Sequence, residues 1–560
     1  MAKRGGGKIN PTSYLKPYKK QIILGPFFKL LEALFELLLP LLMARLIDVG
    51  IANNNQSYIV KMGAAMLFIA VIGTASSFVC QYFASVAAQG YGTKLREVLF
   101  NKSLSLSFKS IDKWGVETLT NRITGDVRAV ELGLAMSIRL LMRLPVIVTM
   151  STVMILFINK GFVWILLISV SAFSLLLYII MSKALPMYTK TLKSLDAIAK
   201  RIREYLFGVR VIKAFNKENA EQEKFNESNK KYMKDYQNFN LLTALSSPLT
   251  GLCLNAAIVA VLFLGRNHIK SDVLTKGELI ACVNYFTQII MALIVFTMLM
   301  PTLTRAGAGY KRVSEFLKYE DTKSLQSIDE KLDSEKIIEC RNLSFSYSDS
   351  AALAIEDISF DLYKGQSMGI IGATGSAKST LLYLICSFYE AKSGSVKTSE
   401  KDIAMVFQKP MLISGTVEDN VRMGDNCASA EEVENALKAA QCDFISEREH
   451  GIYSHVEAKG ENFSGGQKQR ISIARGLLKK PELLLLDDAS SALDYLTEQR
   501  LRQSIKELNI TTVTASVRVN SVKNCDVILV LKNGKCEGIG THAELLETCH
   551  EYTEIYESQR

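Results

Sequence analysis

Met368-Gly369-Ile370-Ile371-Gly372-Ala373-Thr374-Gly375-Ser376-Ala377-Lys378-Ser379-Thr380, followed by Leu381-Leu382-Tyr383-Leu384-Ile385, decides how this 560-residue chain is read. A short apolar strand pattern runs straight into a glycine-containing loop and then into an apolar helical pattern. Such a junction aims consecutive backbone N–H groups at one point beside a helix N-terminus, and that point binds an anion. Lys378 is placed to reach β- and γ-phosphates, and the Ser379 hydroxyl to ligate magnesium. One position departs from GxxxxGK[ST]: Ala377 stands where glycine is expected.

Further along, the apolar run Leu483–Leu486 ends in Asp487 and Asp488. Two carboxylates at a strand tip suit magnesium and an attacking water, although a buried strand ending in a turn looks the same. The segment NFSGGQKQR, shortly before that strand, separates the two readings. Its residues Phe463-Ser464-Gly465-Gly466-Gln467 resemble the signature motif of ATP-binding-cassette proteins. The order of motifs is also similar to that family: Tyr347 for adenine stacking, the phosphate loop, Gln408 in VFQKP, the signature, Asp487, and SSALD ending at Asp494. The resemblance implies ATP and Mg2+ as cofactors. Residues 372–380, that is Gly372, Ala373, Thr374, Gly375, Ser376, Ala377, Lys378, Ser379 and Thr380, would hold the phosphates. Ser379, Gln408 and Asp487 would surround the metal. It also implies a head-to-tail dimer, with each ATP between one phosphate loop and the other chain's Ser464, Gly465, Gly466 and Gln467.

The half that precedes these motifs has a different character. The chain is 48% hydrophobic, more than a soluble protein of this length needs. No charged residue lies between Lys61 and Lys94, Lys160 and Lys183, Asp235 and Arg266, or Glu278 and Arg305. Each gap is long enough to cross a bilayer. Residues 22–47 and 144–159 complete six expected spans, the first of them carrying Lys29, Glu32, Glu36 and Arg45. Glu32 and Glu36 share a helix face, so they either attract a cationic substrate or pair internally with Lys29, Arg139 or Arg143; internal pairing is expected. Tyr285, Phe286 and Phe296 are read as packing residues. Nine Lys and Arg residues fall from Lys94 to Arg143 and thirteen from Lys183 to Lys234, which places both termini in the cytoplasm.

The net charge of +10 is read as loops facing anionic lipid, not as a nucleic-acid surface, because no basic run interleaves with aromatics. The ten cysteines, without a CxxC pair, are read as reduced structural thiols. No signal-peptide pattern opens the sequence, which points to a bacterial cytoplasmic membrane.

The expected architecture is a six-helix transmembrane bundle of exporter type fused to a C-terminal α/β nucleotide-binding domain. Its divisions are a cytoplasmic segment 1–18, a membrane part 19–310, a linker 311–335 that follows a composition change after Arg305, and a nucleotide-binding domain 336–560. By resemblance the long inner connections, GVRVIKAFNKE at 208–218 included, would contact the nucleotide-binding domains.

Three positions depart from the family on one side of the ATP sandwich. Ala377 adds a methyl group where glycine lets the backbone approach phosphate. Asp488 is one methylene shorter than the family's general-base glutamate. Val517, in TASVR, stands at the switch-histidine position and cannot hydrogen-bond a γ-phosphate. These substitutions beside an intact signature imply a second half-transporter of different sequence as partner, with amphipathic small molecules, lipids or peptides as cargo. A homodimeric lipid flippase and a nucleotide-gated regulatory membrane protein are the alternatives.

Overall fold

The structure is a computed structural model that describes residues 10–271, 273–321, 335–348, 352–398 and 402–560. It divides into two units, Met1–Ser105 with Gly115–Glu320, and Leu106–Trp114 with Asp321–Arg560. Residues 1–9 of the N-terminal segment, the boundary expected near Ser334 and most of the linker 311–335 lie outside the described residues.

The helices of the first unit are long. They are α1 (Lys19–Arg45) and α2 (Gln56–Leu104), then, after α3 (Phe108–Trp114) of the second unit, α4 (Val116–Asn121), α5 (Val127–Met136), α6 (Arg143–Ile158), α7 (Phe162–Ala214), α8 (Glu218–Ala244), α9 (Ser246–Lys270) and α10 (Lys276–Lys318). Wide π-type turns at Arg122–Asp126 and Ser137–Leu141 join α4, α5 and α6 into one stretch. Five helical stretches among the described residues are long and apolar enough to cross a membrane. Helix α1 is not one of them, because Lys29, Glu32 and Glu36 interrupt its apolar run. Its 27 residues still span about 40 Å at 1.5 Å per residue, enough for a bilayer. Helix α10 continues eight residues past the boundary placed at 310 from composition.

Phe162, Leu166, Val261, Tyr285, Phe286 and Ile289 form the buried centre of this unit. The Tyr285 hydroxyl donates to the Leu37 carbonyl at 2.9 Å, so Tyr285 and Phe286 pack as expected, whereas Phe296 is exposed. Outward, Val60, Phe68 and Phe78 on α2 and Trp164, Ile168 and Tyr178 on α7 are largely uncovered. Apolar rows of this extent are stable against acyl chains and costly against water.

Polar clasps hold the helix ends. Asp48 accepts from the Thr275 hydroxyl and the Gly277 N–H, at 2.6 and 2.8 Å. Asp126 pairs with Arg312. Buried Asp235 on α8 takes Ser194 at 2.7 Å and Lys190 at 2.8 Å, both from α7.

The second unit is layered α/β. Its strands are β1 (Lys336–Phe345), β2 (Ile355–Tyr363), β3 (Ser367–Ile371), β4 (Ser393–Thr398), β5 (Ile403–Val406), β6 (Gly415–Thr416), β7 (His455–Val456), β8 (Leu483–Asp487), β9 (Thr511–Ser516), β10 (Val527–Lys532) and β11 (Lys535–Gly540). An antiparallel sheet β2-β1-β4 accompanies a six-stranded sheet in the order β11-β10-β3-β9-β8-β5, parallel except for β11, and a short β6-β7 pair. The central strands are mostly buried because both faces are covered: β8 is buried at every residue, and β9 packs threonines beside it. Registers Ile371↔Ser516 and Asp487↔Ala515 bring the exits of β3, β8 and β9 to one edge of the sheet.

Segment Leu106–Trp114 joins this unit through specific contacts. The Phe108 ring stacks on Phe388 at 4.2 Å, and the Tyr389 hydroxyl donates to Asp112 at 2.5 Å. Asp321 accepts from the Ser107 N–H at 2.5 Å and from the hydroxyls of Ser107 and Ser110 at 2.7 and 2.6 Å, which caps α3. Replacing Asp321→Ala is therefore expected to cost about 1 kcal/mol locally. Hydrogen exchange in residues 106–114 should speed up several-fold; unchanged exchange would show that the cap is not what holds this helix.

Candidate nucleotide site

The phosphate loop leaves β3 at Gly372 and enters helix α11 (Lys378–Ile385). A side chain at Gly372 would meet the Leu531 carbonyl at 2.1 Å and the Ser376 hydroxyl at 2.6 Å, so this glycine is required by the approach of β10. At the helix entrance Ala377 has φ +75° and ψ 20°. That is the left-handed region, where a Cβ costs about 1 kcal/mol or more and glycine pays nothing. The departure from the glycine pattern thus sits on the residue that makes the bend.

Lys378 is buried, its ammonium donating to the carbonyls of Gly372 and Ala373 at 2.8 and 2.9 Å. Burial lowers its pKa, while Asp488 and Asp487 act in the opposite sense. The Ser379 hydroxyl donates to Asp487 Oδ1 at 2.8 Å, and burial raises the Asp487 carboxyl above the usual carboxylate range against that bond. Asp487 Oδ2 and Asp488 Oδ1 are buried with no hydrogen-bond partner. Magnesium fits these residues: the Ser379 and Asp487 oxygens are hard donors already held together, and an orphaned carboxylate oxygen is what a hydrated cation would satisfy. When bound, it would neutralise phosphate charge.

Asp488 follows β8 with φ +46°, a bend that aspartate tolerates. Its N–H donates to the Ala515 carbonyl at 2.8 Å, and its Oδ2 meets Gln408 Nε2 at 3.4 Å, a long contact. Gln408, Asp487, Asp488, Lys378 and Ser379 thus gather at one edge of the sheet. Val517 leaves β9 at the same edge. A valine there offers the site no hydrogen-bonding side chain.

Tyr347 lies beside the loop, its hydroxyl sharing a hydrogen bond with the Thr380 hydroxyl at 2.9 Å. Its ring meets Phe345 and Tyr389 edge-on at 4.9 and 5.4 Å and remains 49% exposed, which leaves a surface for a base to stack on.

The signature lies elsewhere in the unit. Ser464 caps the helix Gly465–Leu478, and its side chain and that of Gln467 bond reciprocally to each other's backbone N–H. A Cβ at Gly465 would meet nothing within 4 Å. Among the described residues, no hydrogen bond joins Ser464–Gln467 to the phosphate loop.

Residues 22–293 match the ABC transporter transmembrane region family and residues 355–491 the ABC transporter family. An uncharacterized ABC transporter ATP-binding protein of Mycobacterium tuberculosis is 31% identical over 98% of this chain and 97% of its own length. The chain belongs to the ABC transporter family. YfiB of Bacillus subtilis, also an uncharacterized ABC transporter ATP-binding protein, is 32% identical over 98% of both chains. A bacterial Atm1-family ABC exporter solved with ATP bound has the same fold, with TM-score 0.83 at 21% identity, covering 97% of this chain and 99% of that one. This ABC transporter is accordingly an integral membrane protein of exporter-type fold with an ATP-binding domain.

Two polar side chains of this ABC transporter, Gln559 and Glu498, make contacts that were not visible in its motifs. Gln559, at the far C-terminus, donates to the Val517 carbonyl at 2.7 Å and accepts from the Val519 N–H at 2.8 Å, fixing the backbone after β9. Glu498 is buried against the Ser521 hydroxyl at 2.7 Å and Arg502. Burial works against its ionisation, but bonds from Ser521, Ser490 and Arg502 hold its carboxyl below the ordinary value. Ser521 lies 23 residues from Glu498, and Val517 and Val519 lie 42 and 40 residues from Gln559, so no local pattern announces these three bonds.

If the bend at 377 is strained, Ala377→Gly should raise the thermal unfolding midpoint of the nucleotide-binding domain, by the equivalent of about 0.5–1 kcal/mol. A lowered midpoint would contradict the strain.

Proposed function

We propose that this chain is one half of a heterodimeric ATP-driven exporter, which retains ATP at its own phosphate loop with little turnover and completes a competent site on a dissimilar partner. The observation that carries the reading is the gathering of three departures at one sheet edge. Ala377 bends with φ +75°, the Asp488 carboxylate reaches Gln408 only at 3.4 Å, and Val517 supplies no imidazole. A base that is short of the attacking water forfeits much of a roughly 10²–10⁴-fold effect. The signature, by contrast, is capped and open.

Need of a second chain is supported within the first unit as well. Leu206, Phe207, Val211 and Phe215 at the tip of α7 are exposed, Phe207 at 88%. Lipid does not cover a tip so far along a 53-residue helix, whose length of about 80 Å exceeds a bilayer twofold, so another protein surface is needed. In this reading both termini are cytoplasmic, the membrane is a bacterial cytoplasmic membrane, and the cargo is an amphipathic small molecule, lipid or peptide. The divisions 1–18, 19–310, 311–335 and 336–560 belong to the same reading.

The test is magnesium-dependent ATPase activity of the full chain in lipid, alone and with a half-transporter that carries the glutamate and histidine missing here. Alone, turnover is expected to lie at least 10²-fold below that of the pair. In the pair, Gly465→Asp in this chain should abolish turnover while leaving its unfolding midpoint unchanged, since the new side chain has open space. Brisk hydrolysis by this chain alone would refute the proposal.

A further inference from the structure

Resting on the exporter reading, we infer that Arg139, with Lys29 and Arg143, forms a recognition site inside the membrane unit for the anionic head of an amphipathic molecule, a phosphate or carboxylate carried on an apolar tail.

The charges of this region can be paired off one by one. Lys29, itself buried, donates to both carboxylate oxygens of Glu32 at 2.7 and 2.8 Å. Arg143 bonds Glu36 and lies 3.9 Å from Glu32. Both carboxylates are therefore satisfied internally, which removes an acidic patch for cationic cargo. Arg139 remains. It stands four residues before Arg143 in the same helical stretch. The neighbouring Ile138 packs so tightly on α1 that a Cβ at Gly25 would meet it at 2.7 Å.

Arg139 finds only a neutral partner, donating to the Ser85 hydroxyl at 2.5 Å, and no carboxylate bridges it among the described residues. Its Nε, and that of Arg143, are buried without any hydrogen-bond partner. Three cations thus face two carboxylates in a membrane unit, where uncompensated charges mark substrate paths or partners. The guanidinium fork suits a phosphate or carboxylate better than any neutral group. The backbone here is also unusual: Arg139 sits in the wide turn Ser137–Leu141, a type of bulge found often at functional sites. The cluster is not sealed, since the Glu36 side chain is 39% exposed.

Binding can be read without nucleotide. Dodecyl phosphate, dodecyltrimethylammonium and inorganic phosphate serve as probes of the full chain in neutral-detergent micelles, with bound probe counted by native mass spectrometry. Dodecyl phosphate should bind the native chain, bind Arg139→Gln at least tenfold more weakly, recover largely in Arg139→Lys, and bind Glu36→Gln several-fold more tightly because Arg143 is released. Tightening is an effect that misfolding does not produce. An excess of inorganic phosphate should leave the complex intact; displacement by it would assign the site to a free anion and overturn the amphipath. Equal binding by native chain, Arg139→Gln and Glu36→Gln, or preference for dodecyltrimethylammonium, would overturn the site itself. ATP-driven movement of amphipaths that ignores Arg139 would leave the exporter reading standing without this site. Arg139-dependent binding with no ATP-driven movement by the paired complex would do the reverse.

Discussion

The turn from β3 into α11 requires residue 377 to take a left-handed backbone conformation, and much of what distinguishes this transporter follows from an alanine being there. Parallel strands deliver the phosphate loop, the Asp487-Asp488 pair and Val517 to one edge of a well-buried sheet. The scaffold is therefore intact, and the departures are confined to what the scaffold displays. Lys378 and Asp487 are buried as opposite charges beside each other, each pushed by burial toward its neutral form. Phosphate and magnesium would restore both charges, which is how a site can hold nucleotide firmly even where the groups that position water are altered.

The elements of this site were legible where the chemistry is local. A strand, a glycine loop and a helix in sequence specify an anion cradle, and a carboxylate pair after an apolar run specifies a strand tip. The departure at 377 was legible too, because glycine is demanded where the backbone turns left-handed or approaches closely, and Ala377 has φ +75°. What stayed hidden depends on contacts between distant residues: Gln559 on the backbone after β9, Asp321 on the serines that begin α3, Glu498 against Ser521. Single polar residues of these types occur everywhere on surfaces, and only the fold decides which are buried.

Hydropathy marked the membrane half in a similarly uneven way. Charge-free gaps exposed most of the spans, while α1 was weakened as a signal by the very residues that form its ion pairs. The cost of charge in hydrocarbon makes pairing the rule, so Lys29, Glu32, Glu36 and Arg143 explain one another, and Arg139 stands out against that background. Both halves thus show the same logic. An ordinary framework carries a few groups that its own side chains leave incompletely bonded.

The central claim is that nucleotide is kept, not consumed, at this chain's phosphate loop. It is tested most directly by identifying the nucleotide that remains on each subunit after the paired transporter has turned over many times with radiolabelled ATP. Intact ATP on this subunit, with ADP confined to the partner's loop, is the predicted result. ADP at both loops in equal amount would contradict it.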